Sequence, residues 1–130
     1  MARKIPLQEL EIAIVQELQQ YSDEVAEGIR RDVKAVAKET VKTLRASSEA
    51  AFTGGTGEYA RGWASRVEYE SEDDIRVRIY NRKKPQLTHL LENGHAKVNG
   101  GRVEGHPHIG PAEKRAEEKL GNTVKVVVKR

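Results

Sequence analysis

The stretch WASRVEYESEDDIRVRIY, residues 63–80, decides the fold class. Trp63, Ser65, Val67 and Tyr69 alternate with Ala64, Arg66, Glu68 and Glu70, and Ile75, Val77 and Ile79 alternate with Arg76, Arg78 and Tyr80. A period of two reads as strand, and the acidic Ser71–Asp74 between the runs reads as the turn of a hairpin. Side chains on one face must pair with one another, so the two residue numbers of a cross-strand pair sum to an even number. Sums of 144 or 146 set Glu68 opposite Arg76 or Arg78 and keep the Val and Ile residues together. The hairpin is thus expected to have one apolar face for a helix and one salt-bridged face.

Upstream of the hairpin, the pattern is helical. Leu7, Leu10, Ile14, Leu18 and Tyr21 recur at steps of three and four, and Val25, Ile29, Val33, Val36, Thr40 and Leu44 continue the rule. Residues 1–52 are therefore expected to be helical. Unbroken from residue 7 to 51, such a helix would span roughly 65 Å, whereas a domain of this length is only about 36 Å across. A break or kink is expected at residues 20–23, where Ser22 or Asp23 can cap a new start and Asp23, Glu24 and Glu27 fall in its first turn. Gly28 is a second, weaker breaking point. Thr53–Gly57 ends the helix, since three glycines in four positions cannot hold one.

Downstream, Pro85 opens a short helix over residues 85–94, with Leu87, Leu90 and Leu91 as its expected buried stripe and Asn93-Gly94 as its stop. Residues 95–110 read as a long loop, in which Asn99-Gly100 points to a small ribbon with arms Ala96–Val98 and Arg102–Glu104. Pro111 is expected to start a helix running to Gly121, with Ala112, Ala116 and Leu120 on one face. Val124, Val126 and Val128 then alternate with lysines across 123–129, a last strand. The whole is expected to be a single α+β domain: a long N-terminal helix packed on a small antiparallel sheet, with two shorter C-terminal helices.

The chain has 130 residues, no cysteine, 33% charged residues and a formal net charge of +3. The absence of cysteine excludes a disulfide scaffold, thiolate zinc and a cysteine nucleophile. No apolar run reaches the ~20 residues of a membrane span and no signal peptide precedes the first helix, so a soluble intracellular protein is expected, with no membrane partner. Hydrophobic residues make up 37%, low enough for some apolar surface to be completed by a partner. The positive excess lies in residues 111–130, with 6 Lys+Arg against 3 Asp+Glu. Arg82-Lys83-Lys84 is the only internal basic cluster and reads as a solvated hairpin end.

Catalytic patterns are missing. Ser65 has no Gly-x-Ser-x-Gly elbow, Ser47 and Ser48 sit on a helix end, and Asp73 and Asp74 occupy a turn. Thr53–Gly57 lacks the Lys-Ser/Thr of a phosphate loop. Four histidines, His89, His95, His106 and His108, with Glu92 or Glu104, raise a metal site. No ligand spacing supports one, and histidines that hydrogen-bond loop backbone are the expected reading. Trp63 and Tyr59 could stack bases, but a tryptophan opening a strand reads as a core anchor. The hairpin's charged face and the edge strand Val124–Val128 need covering, which a homo-oligomer would supply.

Two segments carry a family resemblance. Thr56-Gly57-Glu58-Tyr59-Ala60-Arg61-Gly62-Trp63 is similar to the TG-x-Y-x-x-G/S-W signature that leads into the hairpin of the gene-product-ten-like family, small proteins encoded among the head–tail joining genes of siphophages and prophages. Leu87-Thr88-His89-Leu90-Leu91-Glu92-Asn93-Gly94-His95-Ala96, then Gly100-Gly101-Arg102-Val103 and Pro107-His108-Ile109-Gly110-Pro111-Ala112, resembles its second signature. Element order matches too, except that the family's final helix would run on where this chain has a strand-like tail.

The resemblance implies a structural virion protein of the neck or tail-completion region, with no catalysis and no cofactor. Its implied partners are other copies of itself in a sixfold ring and phage head-completion, adaptor and tail proteins. DNA would pass through the lumen without sequence readout, and assembly would take place in the bacterial host cytoplasm. Gly57, Tyr59 and Trp63 would fix the helix-to-hairpin turn, and Gly94, Gly100, Gly101, Pro107 and Pro111 would shape the long loop. With His95, Arg102 and His108 they make the expected structural or interface set. Two rival readings exist. One is a basic nucleic-acid-binding module using Arg82–Lys84, Lys97, Arg102 and the C-terminal lysines, which would grip duplex DNA with steep salt dependence. The other is a His-dependent metal hydrolase, which would purify with zinc or manganese and fail on His106→Ala.

Overall fold

The computed structural model describes residues 7–15, 17–53, 55–121 and 124–129. The fold is α+β. Strand β1 (Glu9–Ile14) is followed by a single 3-10 turn (Leu18–Gln20), the long helix α1 (Asp23–Ala51) and the one-turn helix α2 (Glu58–Arg61). The hairpin β2 (Trp63–Glu70) and β3 (Ile75–Asn81) leads through a 3-10 turn (Pro85–Leu87) to α3 (Thr88–Asn93). The chain then forms the two-residue strands β4 (His95–Ala96) and β5 (Arg102–Val103), α4 (Ile109–Leu120) and β6 (Lys125–Lys129). The main sheet has the order β2-β3-β1-β6, and every neighbouring pair is antiparallel.

The largest correction to the sequence reading is β1. Residues 9–14 were expected to be the start of the helix and are instead an inner strand, with Leu10 opposite Ile79 and Val128, and Ile12 opposite Val77 and Val126. Leu10 and Ile14 are four apart, which fits one helical turn or two strand steps equally well. β3 and β6 settle the ambiguity by flanking the segment, so that residues 10–14 are all buried and the strand reads as nearly continuous apolar sequence. The break expected at 20–23 is where α1 begins. Ser22 is the N-cap, its Oγ accepting from the Val25 N–H at 3.3 Å, with Asp23 and Glu24 in the first turn. Gly28 lies inside the helix without breaking it. The buried stripe starts at Ala26, and Val25, expected inside, is 49% exposed.

The sheet has the two faces the alternation required. Leu10, Ile12, Ile14, Ile75, Val77, Ile79 and Val126 form one core with Val33, Ala37, Val41 and Leu44 of α1 and Ala112 and Ala116 of α4. On the other face Arg78 bridges Glu9 at 2.7 Å and Glu68 at 2.9 Å, and Lys129 reaches Glu11 at 3.4 Å. The hairpin register sums to 144 from Trp63–Asn81 to Val67–Val77 and then shifts by one residue at a bulge between Val67 and Tyr69. Glu68 therefore meets Arg78 diagonally and does not face Arg76. The bulge also carries Glu70 round to the helix side, where Arg30 at 3.0 Å and Lys34 at 3.2 Å bind it.

Smaller corrections follow the chain. In α3 the buried side chain is Thr88, whose Oγ1 accepts from the Gln8 N–H at 2.8 Å, while Leu87, Leu90 and Leu91 are half-buried. The ribbon expected within loop 95–110 is present as β4–β5, with shorter arms and the first starting one residue earlier, His95 opposite Val103 and Ala96 opposite Arg102. Helix α4 begins at Ile109, two residues before Pro111. β6 is present as a strand, although Thr123, at the start of the expected span, lies outside the described residues, as does Gly54 in the glycine turn.

Candidate functional site: a buried Tyr–His–Glu cluster and the ribbon it anchors

Phe52 closes α1, its N–H bonded to the Ser48 carbonyl at 2.9 Å. The chain then turns through Gly57, whose φ of +78° suits glycine, and α2 directs Tyr59 inward. Trp63 opens β2 fully buried, its Nε1–H donating to Ser48 Oγ at 3.0 Å. Against these rings comes the segment 104–108. His108 lies 5.2 Å from Phe52, 5.7 Å from Tyr59 and 6.1 Å from Trp63 between ring centroids, all edge-to-face.

The polar atoms of this cluster close on themselves. Tyr59 Oη is 2.6 Å from His108 Nε2, and His108 Nδ1 is 2.7 Å from the His106 carbonyl and 2.9 Å from Glu92 Oε1. That arrangement assigns the ring proton to Nδ1 and leaves Nε2 to accept from the tyrosine hydroxyl. The Glu92 carboxylate accepts three further bonds, from the backbone N–H groups of His108 (2.7 Å), Ile109 (2.8 Å) and Gly110 (3.0 Å). These amides stand at the start of α4 and have no partners within the helix, so a side chain from α3 caps α4. Burial alone would raise the Glu92 pKa. The bonds from the His108 side chain and from the three amides outweigh it and bring the pKa down to about 2. Burial, with the Glu92 charge nearby, pushes the Tyr59 hydroxyl well above its usual range.

Tyrosine, histidine and glutamate are the residue types of a proton relay, but Tyr59 is 7% exposed and His108 3%. Their heteroatoms bond to one another and to backbone. The arrangement fixes the position of segment 92–110.

The ribbon stands on that base. Gly94 has φ +78°, and a Cβ there would lie 2.3 Å from the Val103 carbonyl oxygen; a Cβ on Gly105 would lie 2.5 Å from the Glu92 carbonyl oxygen. Two glycines thus let the end of α3 and the strand leaving the ribbon touch backbone to backbone. His106 N–H donates to the Leu91 carbonyl at 2.8 Å and Arg102 Nη2 donates to the Asn93 carbonyl. Residues 95–104 are all exposed, and Val98 at the tip is fully so.

The expected site residues fall into three places. Tyr59, Trp63 and His108 meet in the cluster, with Gly57 and Gly94 at the turns beside it. His95, Gly100, Gly101 and Arg102 belong to the ribbon, and Pro107 and Pro111 are exposed around the start of α4. Sequence reasoning missed Glu92 as a cap, having weighed it only as a metal oxygen, and missed Gly105 and Ser48. Asn81 was missed too: it is buried, donating to the Tyr59 carbonyl at 2.7 Å and accepting from the Lys83 and Lys84 N–H groups. None of these has a local signal, since each acts on a residue distant in sequence or on the backbone. Of the cations in the nucleic-acid reading, Lys84 pairs with Glu58, Lys129 with Glu11, and Arg102 binds backbone. Among the described residues no three of His, Asp and Glu gather to hold a metal ion.

Residues 12–94 match the model of the HK97-gp10-like family, described as "Bacteriophage HK97-gp10, putative tail-component". The matched span runs from within β1 to the end of α3; the ribbon, α4 and β6 lie beyond it. No curated protein and no solved structure matches the chain. No helix among the described residues is long and apolar enough to cross a membrane.

Proposed function

Because this chain belongs to the HK97-gp10-like family of phage tail components, we propose that it is a structural part of the head–tail connection, in the neck or at tail completion. It works as a single domain that assembles with its own copies into a sixfold ring and contacts head-completion, adaptor and tail proteins. It reaches the virion by assembly in the bacterial host cytoplasm, breaks and forms no covalent bond, and lets DNA pass without reading it.

The observation that carries this reading is the family match, and the geometry is in keeping with it. The most elaborate polar cluster is buried and anchors a projecting ribbon, a plan suited to presenting a rigid contact. Val98 stands exposed at the ribbon tip, where a partner reached by the ribbon would meet it. Deleting the gene from the phage or prophage that carries it provides the test. Filled heads and finished tails that remain separate in electron micrographs are the expected outcome. Intact infectious particles lacking the protein would overturn the proposal.

A further inference from the structure

β2 and β6 are the outer strands of the main sheet, and among the described residues neither has a strand on its far side. With four alternating strands, the two edges run in opposite directions. Copies related by rotation about an axis along the strands would therefore bring β6 of one beside β2 of the next in antiparallel sense, at every junction of a ring. The backbone phase of both edges can be read. The Gly62 carbonyl accepts from the Arg82 N–H at 2.9 Å, so Gly62, Ala64 and Arg66 face β3 while Ser65 and Val67 turn their amides outward. By the same alternation Ile75, Val77 and Ile79 face β1 and Glu9, Glu11 and Ala13 face β6, so Lys125, Val127 and Lys129 pair inward while Val126 and Val128 turn outward, the Glu113 carboxylate lying against the Val128 amide. Each edge is shielded by one side chain, Glu113 on β6 and, on β2, Arg45 at the Trp63 carbonyl (2.9 Å).

Side-chain faces and charge then choose the register. Val67 and Ser65 lie on the helix face, as do Val126 and Val128, opposite Val77, Ile79, Ile12 and Leu10 respectively. Valine must meet valine, which leaves three alignments. With Val67 opposite Val124 or Val128, Arg66 falls opposite Lys125 or Lys129 and like charges collide. With Val67 opposite Val126, Arg66 meets Val127, Ser65 meets Val128, and Glu68 comes against Lys125, which has no ion pair among the described residues. The same alignment covers Val67 and Val127, which are 44% and 41% exposed. In charge the seam gains one pair, Glu68 with Lys125, since Glu70 is held by Arg30 and Lys34 and Lys129 by Glu11.

We infer that β6 of one copy adds to β2 of a second copy with Val126 opposite Val67, making a head-to-tail seam. The inference rests on the self-assembly reading above and specifies the surface through which it acts. The Ser65 carbonyl replaces the Glu113 carboxylate as acceptor for the Val128 amide. Arg66 and Val127 form a non-hydrogen-bonded pair, whose Cα separation of about 4.5 Å suits a disulfide.

The chain has no cysteine, so thiols can be placed at will. Full-length Arg66→Cys and Val127→Cys proteins, mixed at high concentration and oxidised, are expected to give a covalent dimer at several times the level of either alone. Adding Lys125→Glu to the Val127→Cys chain should cut that yield by roughly fivefold. Ala64→Cys mixed with Val127→Cys should link poorly, and an equal yield would overturn the register. Absence of the 66–127 dimer, while an amine-reactive cross-linker still captures wild-type oligomers, would overturn the seam and leave self-assembly standing. Absence of both products would overturn seam and self-assembly together.

Discussion

Glu92 holds three backbone amides and an imidazole with one carboxylate, and its charge is part of the fold's stability. Its pKa of about 2 lies below the ordinary 4.5. The stabilisation is therefore complete above pH 4.5 and is lost as pH falls through about 2, an effect on the order of 3 kcal/mol. Denaturant titrations between pH 6 and pH 2 should show this decline, and Glu92→Gln should be less stable at pH 6 with a shallower acid dependence. Tyr59→Phe leaves His108 Nε2 buried without its donor and should cost about 1–3 kcal/mol in urea melts. Neither effect is visible in the residues themselves. Trp63 was legible as a core anchor because it opens an alternating strand, and Tyr59 and His108 stood within the two signature segments. Glu92 was not legible as a cap, because its partners lie 16 to 18 positions further on and carry their donors on the backbone.

Among the elements, α1 and β1 differ most in how far the sequence disclosed them. The start of α1 was written in Ser22-Asp23-Glu24, and Ser22→Ala should cost about 1 kcal/mol, read as a lowered melting temperature. β1 was misread because Leu10 and Ile14 satisfy both periods, and only the flanking strands, distant in sequence, choose between them. The bulge at Glu68 was likewise hidden: the even-sum rule left 144 and 146 open, of which 144 holds up to Val67, but the shift that turns Glu70 towards Arg30 and Lys34 depends on α1 lying above it. Between α3 and the ribbon, Gly105→Ala would force a Cβ to within 2.5 Å of the Glu92 carbonyl oxygen. It should be strongly destabilising, with loss of expression in soluble form or a melting temperature lowered by several degrees.

For the molecule as a whole, the exposed ribbon tip proposed as a contact and the buried cluster that anchors it are made of different residues, which separates their tests. Val98→Asp at the ribbon tip touches nothing buried, so the melting temperature should stay put while incorporation into particles, measured by mass spectrometry of purified virions, drops. The strand order adds a constraint of timing. Glu9–Ile14 leaves the ribosome before either of its neighbours and has both only after residues 125–129 have emerged. A nascent or prematurely terminated polypeptide lacks the very strand proposed to dock on its neighbour, so a ring containing such a product could not close.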